Sequence, residues 1–156
     1  MVTFTAGAND HFRPYRLSRH MFFLEAAGQS FKAGHVVTLD AAGRIIKGVT
    51  DPAAATVVGV ASEKASGVLG TKIGVYVADE NIEFQGRVQD TGVLALTNVG
   101  KQYSIVLDGT NDIFRVDLSD TTNKNVIVTE LIDAVGDVNG RVVFKWVNAA
   151  RAVQAS

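Results

Sequence analysis

Hydrophobic residues recur at every second position through most of the chain. In Lys72-Ile73-Gly74-Val75-Tyr76-Val77 the residues Ile73, Val75 and Val77 share one face, because successive side chains of a strand point to opposite sides. Between Asn81 and Val88, the residues Ile82, Phe84 and Val88 alternate with Asn81, Glu83, Gln85 and Arg87, the pattern of a half-buried strand. The short polar pair Asp79-Glu80 between them predicts either a tight hairpin or a bulge in one bent strand. Further strands are predicted at 34–39, 44–49, 56–61, 92–96, 102–107, 113–118, 125–132 and 141–147, at the close spacing of a sandwich or barrel. Asp40-Ala41-Ala42-Gly43, Asp108-Gly109 and Asn139-Gly140 supply residues that tolerate positive φ and mark reversals. Residues 18–27 lack a sustained three-to-four spacing and predict a turn or two of helix at most. The predicted class is all-β: a small β-barrel or β-sandwich body over residues 31–156, preceded by an extended N-terminal arm over residues 1–30.

Composition narrows the function classes. The 156 residues suit one domain with a real core, 47% are hydrophobic, and a net charge of -1 argues against a dedicated nucleic-acid binder, whose affinity rests on a basic surface. The absence of cysteine removes disulfides, thiolate nucleophiles and zinc-thiolate sites together. No apolar run approaches the roughly 18 residues of a membrane span, and Met21-Phe22-Phe23-Leu24 is too short for a signal-peptide core, so the expectation is a soluble protein made in the cytoplasm and left unprocessed.

Catalytic patterns are weak throughout. His11, His20 and His35 have no pair at i, i+4, and Asp117, Asp120 and Asn123, with Asp108 and Asp112 nearby, miss the order of a calcium loop and read as turn residues. Neither a Gly-x-Ser-x-Gly elbow nor a phosphate-cradling Gly-x-x-x-x-Gly-Lys loop is present, and Gly67-Val68-Leu69-Gly70 reads as a turn. The odd spacing of Glu80 and Glu83 puts them on opposite faces of a continuous strand, where they cannot act as a glycosidase pair without a bulge. No catalytic residue, metal or cofactor is expected. Phe144 and Trp146 share a strand face, which reads as core packing or a subunit contact, and Phe84 and Trp146 are the candidate oligomer contacts; an exposed Trp146 would instead suit a carbohydrate-binding module.

The opening segment is different in character. His11-Phe12-Arg13-Pro14-Tyr15-Arg16 interleaves aromatic and basic residues, and with Phe4 and Arg19 it reads as a docking arm: rings to bury on a partner, guanidiniums to grip its carboxylates or carbonyls. Pro14 fixes its own φ and biases Arg13 toward an extended form. The alternative is an N-terminal strand tucked onto its own body with the arginines in solvent. Ordering some fifteen residues outweighs the burial of three rings, so a lone arm requires a docked body or linked copies.

In chain order, His11-Phe12-Arg13-Pro14-Tyr15-Arg16-Leu17, Lys32-Ala33-Gly34-His35-Val36-Val37, Val57-Val58-Gly59-Val60-Ala61, the stretch from Gly74 to Phe84 and the ending Arg141-Val142-Val143-Phe144-Lys145-Trp146-Val147-Asn148 resemble the small head-decoration, or cement, proteins of tailed bacteriophages. Asp79-Glu80-Asn81 departs from the Asp-Pro-Asn more usual there. The resemblance implies a non-enzymatic protein on the outer capsid surface of the virion, made in the host cytoplasm, that braces neighbouring copies of the major capsid protein. It also implies a homo-oligomer, a trimer at three-fold positions or a dimer across two-folds, without nucleic-acid or membrane partners. A carbohydrate-binding β-sandwich module is the alternative function.

Overall fold

Runs of valine, isoleucine and aromatic residues at alternating positions build eleven strands, over the residues that a computed structural model describes, 10–147. They are β1 (Arg13–Pro14), β2 (His20–Leu24), β3 (Val36–Leu39), β4 (Ile45–Lys47), β5 (Val57–Ala61), β6 (Lys72–Val77), β7 (Glu83–Arg87), β8 (Gln102–Asp108), β9 (Ile113–Asp117), β10 (Val126–Leu131) and β11 (Arg141–Trp146). Two single 3-10 turns, Ala54–Thr56 and Leu96–Asn98, are the helical content of the described residues. The all-β class holds.

The strands form two antiparallel sheets, one of six strands in the order β1-β7-β11-β10-β8-β9 and one of five in the order β2-β6-β5-β3-β4. Parallel bridges curl each sheet: Val88, just past β7, meets Val116 of the edge strand β9, and Glu25, just past the edge strand β2, meets Ile45 of the opposite edge strand β4. The main core lies between the sheets and holds Phe84, Phe114, Phe144 and Trp146 of the first with Val36, Val57 and Val60 of the second. A smaller core fills the curl of the five-stranded sheet, where Ile73, Val75 and Val77 of β6 meet Val37, Ile45, Val58 and Phe31. The period-two face predicted for Ile73, Val75 and Val77 is therefore the inner face of that curl.

Four expectations change. Asp79-Glu80 is neither hairpin nor bulge: β6 and β7 belong to different sheets, and a turn closed by Ile82 N–H on the Asp79 carbonyl (3.0 Å) carries the chain across. Residues 92–96 make only the bridge Val93–Val138 before the turn at Leu96, because Leu94 alone of that stretch finds the core. The positive φ of the β8–β9 reversal falls on Asp112 (55°) rather than on Gly109. The boundary at residue 30 does not part an arm from a body among the described residues, since β1 pairs with β7 and all five residues of β2, within the stretch that allowed at most a turn or two of helix, pair with β6.

The tucked-strand alternative is what the described part of the N-terminal segment adopts, and Phe12 is the reason. Its side chain is 1% exposed, stacked edge-on to Phe144 (4.8 Å between centroids) and Trp146 (6.2 Å), in a space kept open by Gly86. Truncating a buried phenylalanine typically costs about 3–5 kcal/mol, whereas truncating one in a solvated arm costs almost nothing. Phe12→Ala is therefore expected to lose about 3–5 kcal/mol of unfolding free energy, read as a lowered urea midpoint at unchanged slope.

Candidate docking surface

The residues assigned to the arm part company once placed. Phe12 is in the core, and Arg13 and Pro14 sit opposite Gln85 and Phe84 in the ladder. Tyr15 donates its backbone N–H to the Glu83 carbonyl (2.9 Å). Arg16 lies over the Tyr15 ring and reaches Glu83 (3.3 Å) and Glu130 (3.2 Å), while Arg19 reaches Asp79 (3.3 Å). The gripping chemistry of Arg16 and Arg19 thus falls on carboxylates of the same chain. Their exposure to water makes these pairs weak in energy, but they fix the path from one sheet to the other. Phe4 lies outside the described residues. Phe84 and Trp146 are buried core (Trp146 is 2% exposed), so neither is a subunit contact and Trp146 is no sugar platform.

His11 belongs to a polar latch instead of a free surface. It packs over Gly34, its ring 5.8 Å from that of the fully buried His35. The Lys32 N–H donates to His35 Nδ1 (3.0 Å), which places the imidazole proton on Nε2, where it is donated to the Asp112 carbonyl (2.7 Å). Lys32 and Lys47 each hold the Asp112 carboxylate at 2.9 Å. Asp112 sits in the β8–β9 reversal and Lys47 in β4, so the latch ties one sheet to the other. Burial would raise the Asp112 carboxyl, but the hydrogen bonds from Lys47 and Lys32 outweigh it and bring it down to about 2. Burial lowers both imidazoles below the ordinary 6.5, in spite of the nearby carboxylate.

The other acidic groups serve turns. Asp117 accepts from Ser119 N–H (2.9 Å), Asp120 from Thr122 N–H (2.8 Å), and Asp108 from Thr110 and Asn111 N–H and from the buried Arg115 (2.9 Å). Among the described residues no group of three or more His, Cys, Asp or Glu stands close enough to hold a metal ion. Glu25, fully buried, accepts from Ser66 and from the Ser66 and Gly67 N–H groups, which pins the 66–70 loop beside the end of β2.

What the surface does offer is apolar, in two groups that reading the sequence missed. On the five-stranded sheet, Phe22 (62% exposed) and Leu24 (46%) point outward from β2, with Leu17 before them and Val68 and Leu69 in the loop that Glu25 pins. On the six-stranded sheet, Val93 (51%) and Val138 (60%) face each other across a bridge, with Leu96, Val99 and Val135 exposed nearby. The signal for the first group was present: Met21-Phe22-Phe23-Leu24 is apolar on both strand faces, so a strand there must expose rings or have both faces covered. No protein-family model matches the chain, and no curated protein does.

The latch gives a pH dependence. An unfolded chain takes up protons on His11 and His35 near 6.5, whereas the folded chain resists until lower pH, so the unfolded state binds more protons in that window. The contribution is complete above 6.5 and is lost as pH falls through the lowered folded values. Asp112 adds a second contribution, complete above 3.8 and lost as pH falls through about 2, joined by the other depressed carboxyls Asp79, Asp108, Asp120 and Asp133. A pH series of urea midpoints is expected to show both declines, and His35→Gln to flatten the upper one.

Proposed function

We propose that the chain is a capsid decoration, or cement, protein: a non-enzymatic subunit that binds the outer surface of an assembled icosahedral head in several copies and braces the major capsid protein. The observation that carries this reading is the preorganised apolar platform at Val93 and Val138. Three backbone bonds hold it, Leu94 N–H to the Asp137 carbonyl (2.9 Å), Gly136 N–H to the Leu94 carbonyl (2.8 Å) and Asn139 N–H to the Gly92 carbonyl (2.8 Å), with the buried Leu94 as its root. Asn139 beneath it takes Arg87 on its carbonyl (2.9 Å) and the buried Arg115 on its side-chain oxygen. A surface fixed in advance loses little conformational freedom on docking, which favours contact with a large rigid partner. The resemblance of its motif order to head-decoration proteins supports the choice of that partner, and the second apolar group on β2 supports a subunit with more than one interface. Copies linked as a trimer at three-fold positions, or as a dimer across two-folds, gain about 10² to 10⁴ in avidity without a new contact.

The test is co-sedimentation with assembled heads that lack the decoration protein. Wild-type chain is expected to saturate a fixed number of sites, and the double variant Val93→Asp, Val138→Asp to bind at least about tenfold more weakly, the cost of leaving two desolvated carboxylates at an apolar contact. Its circular dichroism and urea midpoint should match wild type. Absence of wild-type binding to heads, or saturable binding to a glycan array in its place, rejects the reading.

A further inference from the structure

We propose that the Asp51–Pro52 bond is a self-cleavage site, at which the Asp51 carboxylate attacks its own backbone carbonyl and frees Pro52 as a new amino terminus. The event happens once per chain without turnover, and it stands or falls independently of the capsid reading.

This is the single Asp-Pro bond of the chain, since the other proline follows Arg13. A proline nitrogen carries two alkyl groups besides the acyl carbon and accepts a proton more readily than other peptide nitrogens as the bond breaks. The backbone there is also held away from its preference. Asp51 has a φ of 50°, whereas the residue before a proline favours about −120°, and the left-handed conformation crowds Cβ against the following carbonyl. Hydrogen bonds clamp the chain on both sides of the bond, so it cannot relax. Thr50 Oγ1 accepts from Leu107 N–H (2.9 Å) and Asp51 N–H donates to the Ile105 carbonyl (2.8 Å), both on β8. Beyond the bond, the buried Asn125 donates from Nδ2 to the Pro52 carbonyl (2.9 Å).

A nucleophile and a stabilising donor meet at the same carbonyl. Asp51 Oδ1 is buried and accepts no hydrogen bond among the described residues, so its lone pairs remain available for attack. The Asp51 carbonyl oxygen accepts from Asn123 Nδ2 (2.8 Å), and Asn123 is itself fixed by its N–H on Ser104 Oγ (3.1 Å). A donor so placed strengthens as negative charge grows on the oxygen. An ordinary turn accounts for the clamps, but it leaves an unpartnered carboxylate oxygen next to a polarised carbonyl without a reason.

The reaction balances with water as its co-reactant. Oδ1 adds to the Asp51 carbonyl carbon and closes a five-membered ring, with the charge passing to the oxygen under Asn123. The carbon–nitrogen bond then breaks, its electron pair stays on the Pro52 nitrogen, and water supplies the proton. The hydroxide formed opens the cyclic anhydride, which restores the side-chain carboxylate and leaves a second carboxyl at the new chain end, whose proton passes to the proline amine. One water is consumed and nothing is oxidised or reduced. Asp51 is half-buried, so solvent reaches the ring. The nicked pieces stay joined, because the ladders β1–β7, β2–β6 and β3–β5 each pair a strand before Asp51 with one after it.

The experiment is incubation of the purified full chain at neutral pH and physiological temperature over weeks, sampled by intact mass in denaturant and by gel filtration without it. Two complementary pieces, 1–51 and 52–156, are expected to accumulate with a first-order rate independent of protein concentration, while the native size is unchanged. The same chain unfolded in urea is expected to cleave at least about tenfold more slowly, since the reacting groups are no longer held together. Asp51→Gly, which tolerates the positive φ but has no carboxylate, should stay intact. Asn123→Ala should cleave at least about tenfold more slowly, and both variants should keep the wild-type circular dichroism. The inference is overturned by a wild type that stays intact or is cut at another bond, by an equal rate in urea, by cleavage that survives Asp51→Gly, or by an undiminished rate in a folded Asn123→Ala.

Discussion

Burial of the Phe12 ring against Gly86, Phe144 and Trp146 governs what the rest of the molecule can do. Once that ring is in the main core, Arg13 and Pro14 are held against β7, and the chain must reach β2 within a handful of residues. Tyr15, Arg16 and Arg19 are then within range of Glu83, Glu130 and Asp79, and they bond there. A segment whose aromatic-basic composition suits docking becomes a strap across both sheets. Under the proposed reading, partner contact falls to side chains that the strap leaves outside, and among the described residues the apolar side chains of β2 and of the Val93–Val138 bridge are exposed.

Two polar clusters keep those apolar surfaces in position. One joins the sheets through Asp112, with Lys32, Lys47 and His35 around it. The other joins Arg115 to Asp108 and Asn139, and Arg87 to Asn139 and Asp10, below the valine bridge. The Arg115–Asp108 pair is buried whereas Lys32 and Asp112 keep part of their surface in water, and neither kind of pair is a large source of net stability, since desolvation or solvent screening offsets most of the attraction. Their effect is geometric: a charge without its partner is so costly that the loops bearing the partners are confined to one arrangement. The left-handed residues Asp112 and Asn139 stand where each cluster meets its loop.

The sheets were legible because valine, isoleucine and phenylalanine alternate with polar residues. The bounds predicted for 72–77 coincide with β6, and those for 102–107 and 141–147 differ from β8 and β11 by one residue. β2 was illegible for the reason that makes it interesting, since alternation vanishes when both faces are apolar. The pairing of strands across sheets was beyond reach as well. That β6 and β7 part company at Asp79 depends on which cores Val77 and Phe84 join, and local pattern is the same for a hairpin and a crossover. Phe12 shows the same limit, for a ring next to arginines has one composition whether it meets a partner or its own Trp146.

The distribution of polar and apolar groups bears on the choice between shell and sugar. A carbohydrate platform needs exposed flat rings with hydrogen-bond donors and acceptors around them, because a site recognises hydroxyls by pairing them. Here Trp146 is buried, the acids Asp108, Asp117 and Asp120 are engaged with their own turns, and Asp112 is held by Lys32 and Lys47. The exposed side chains that remain unexplained by the fold, Phe22, Leu24, Val93 and Val138, have no polar tip with which to bind a hydroxyl. They gain by excluding water against another apolar surface, and they are divided between the two sheets. A surface built that way is suited to being covered by protein on two sides, which favours a lattice subunit over a sugar reader.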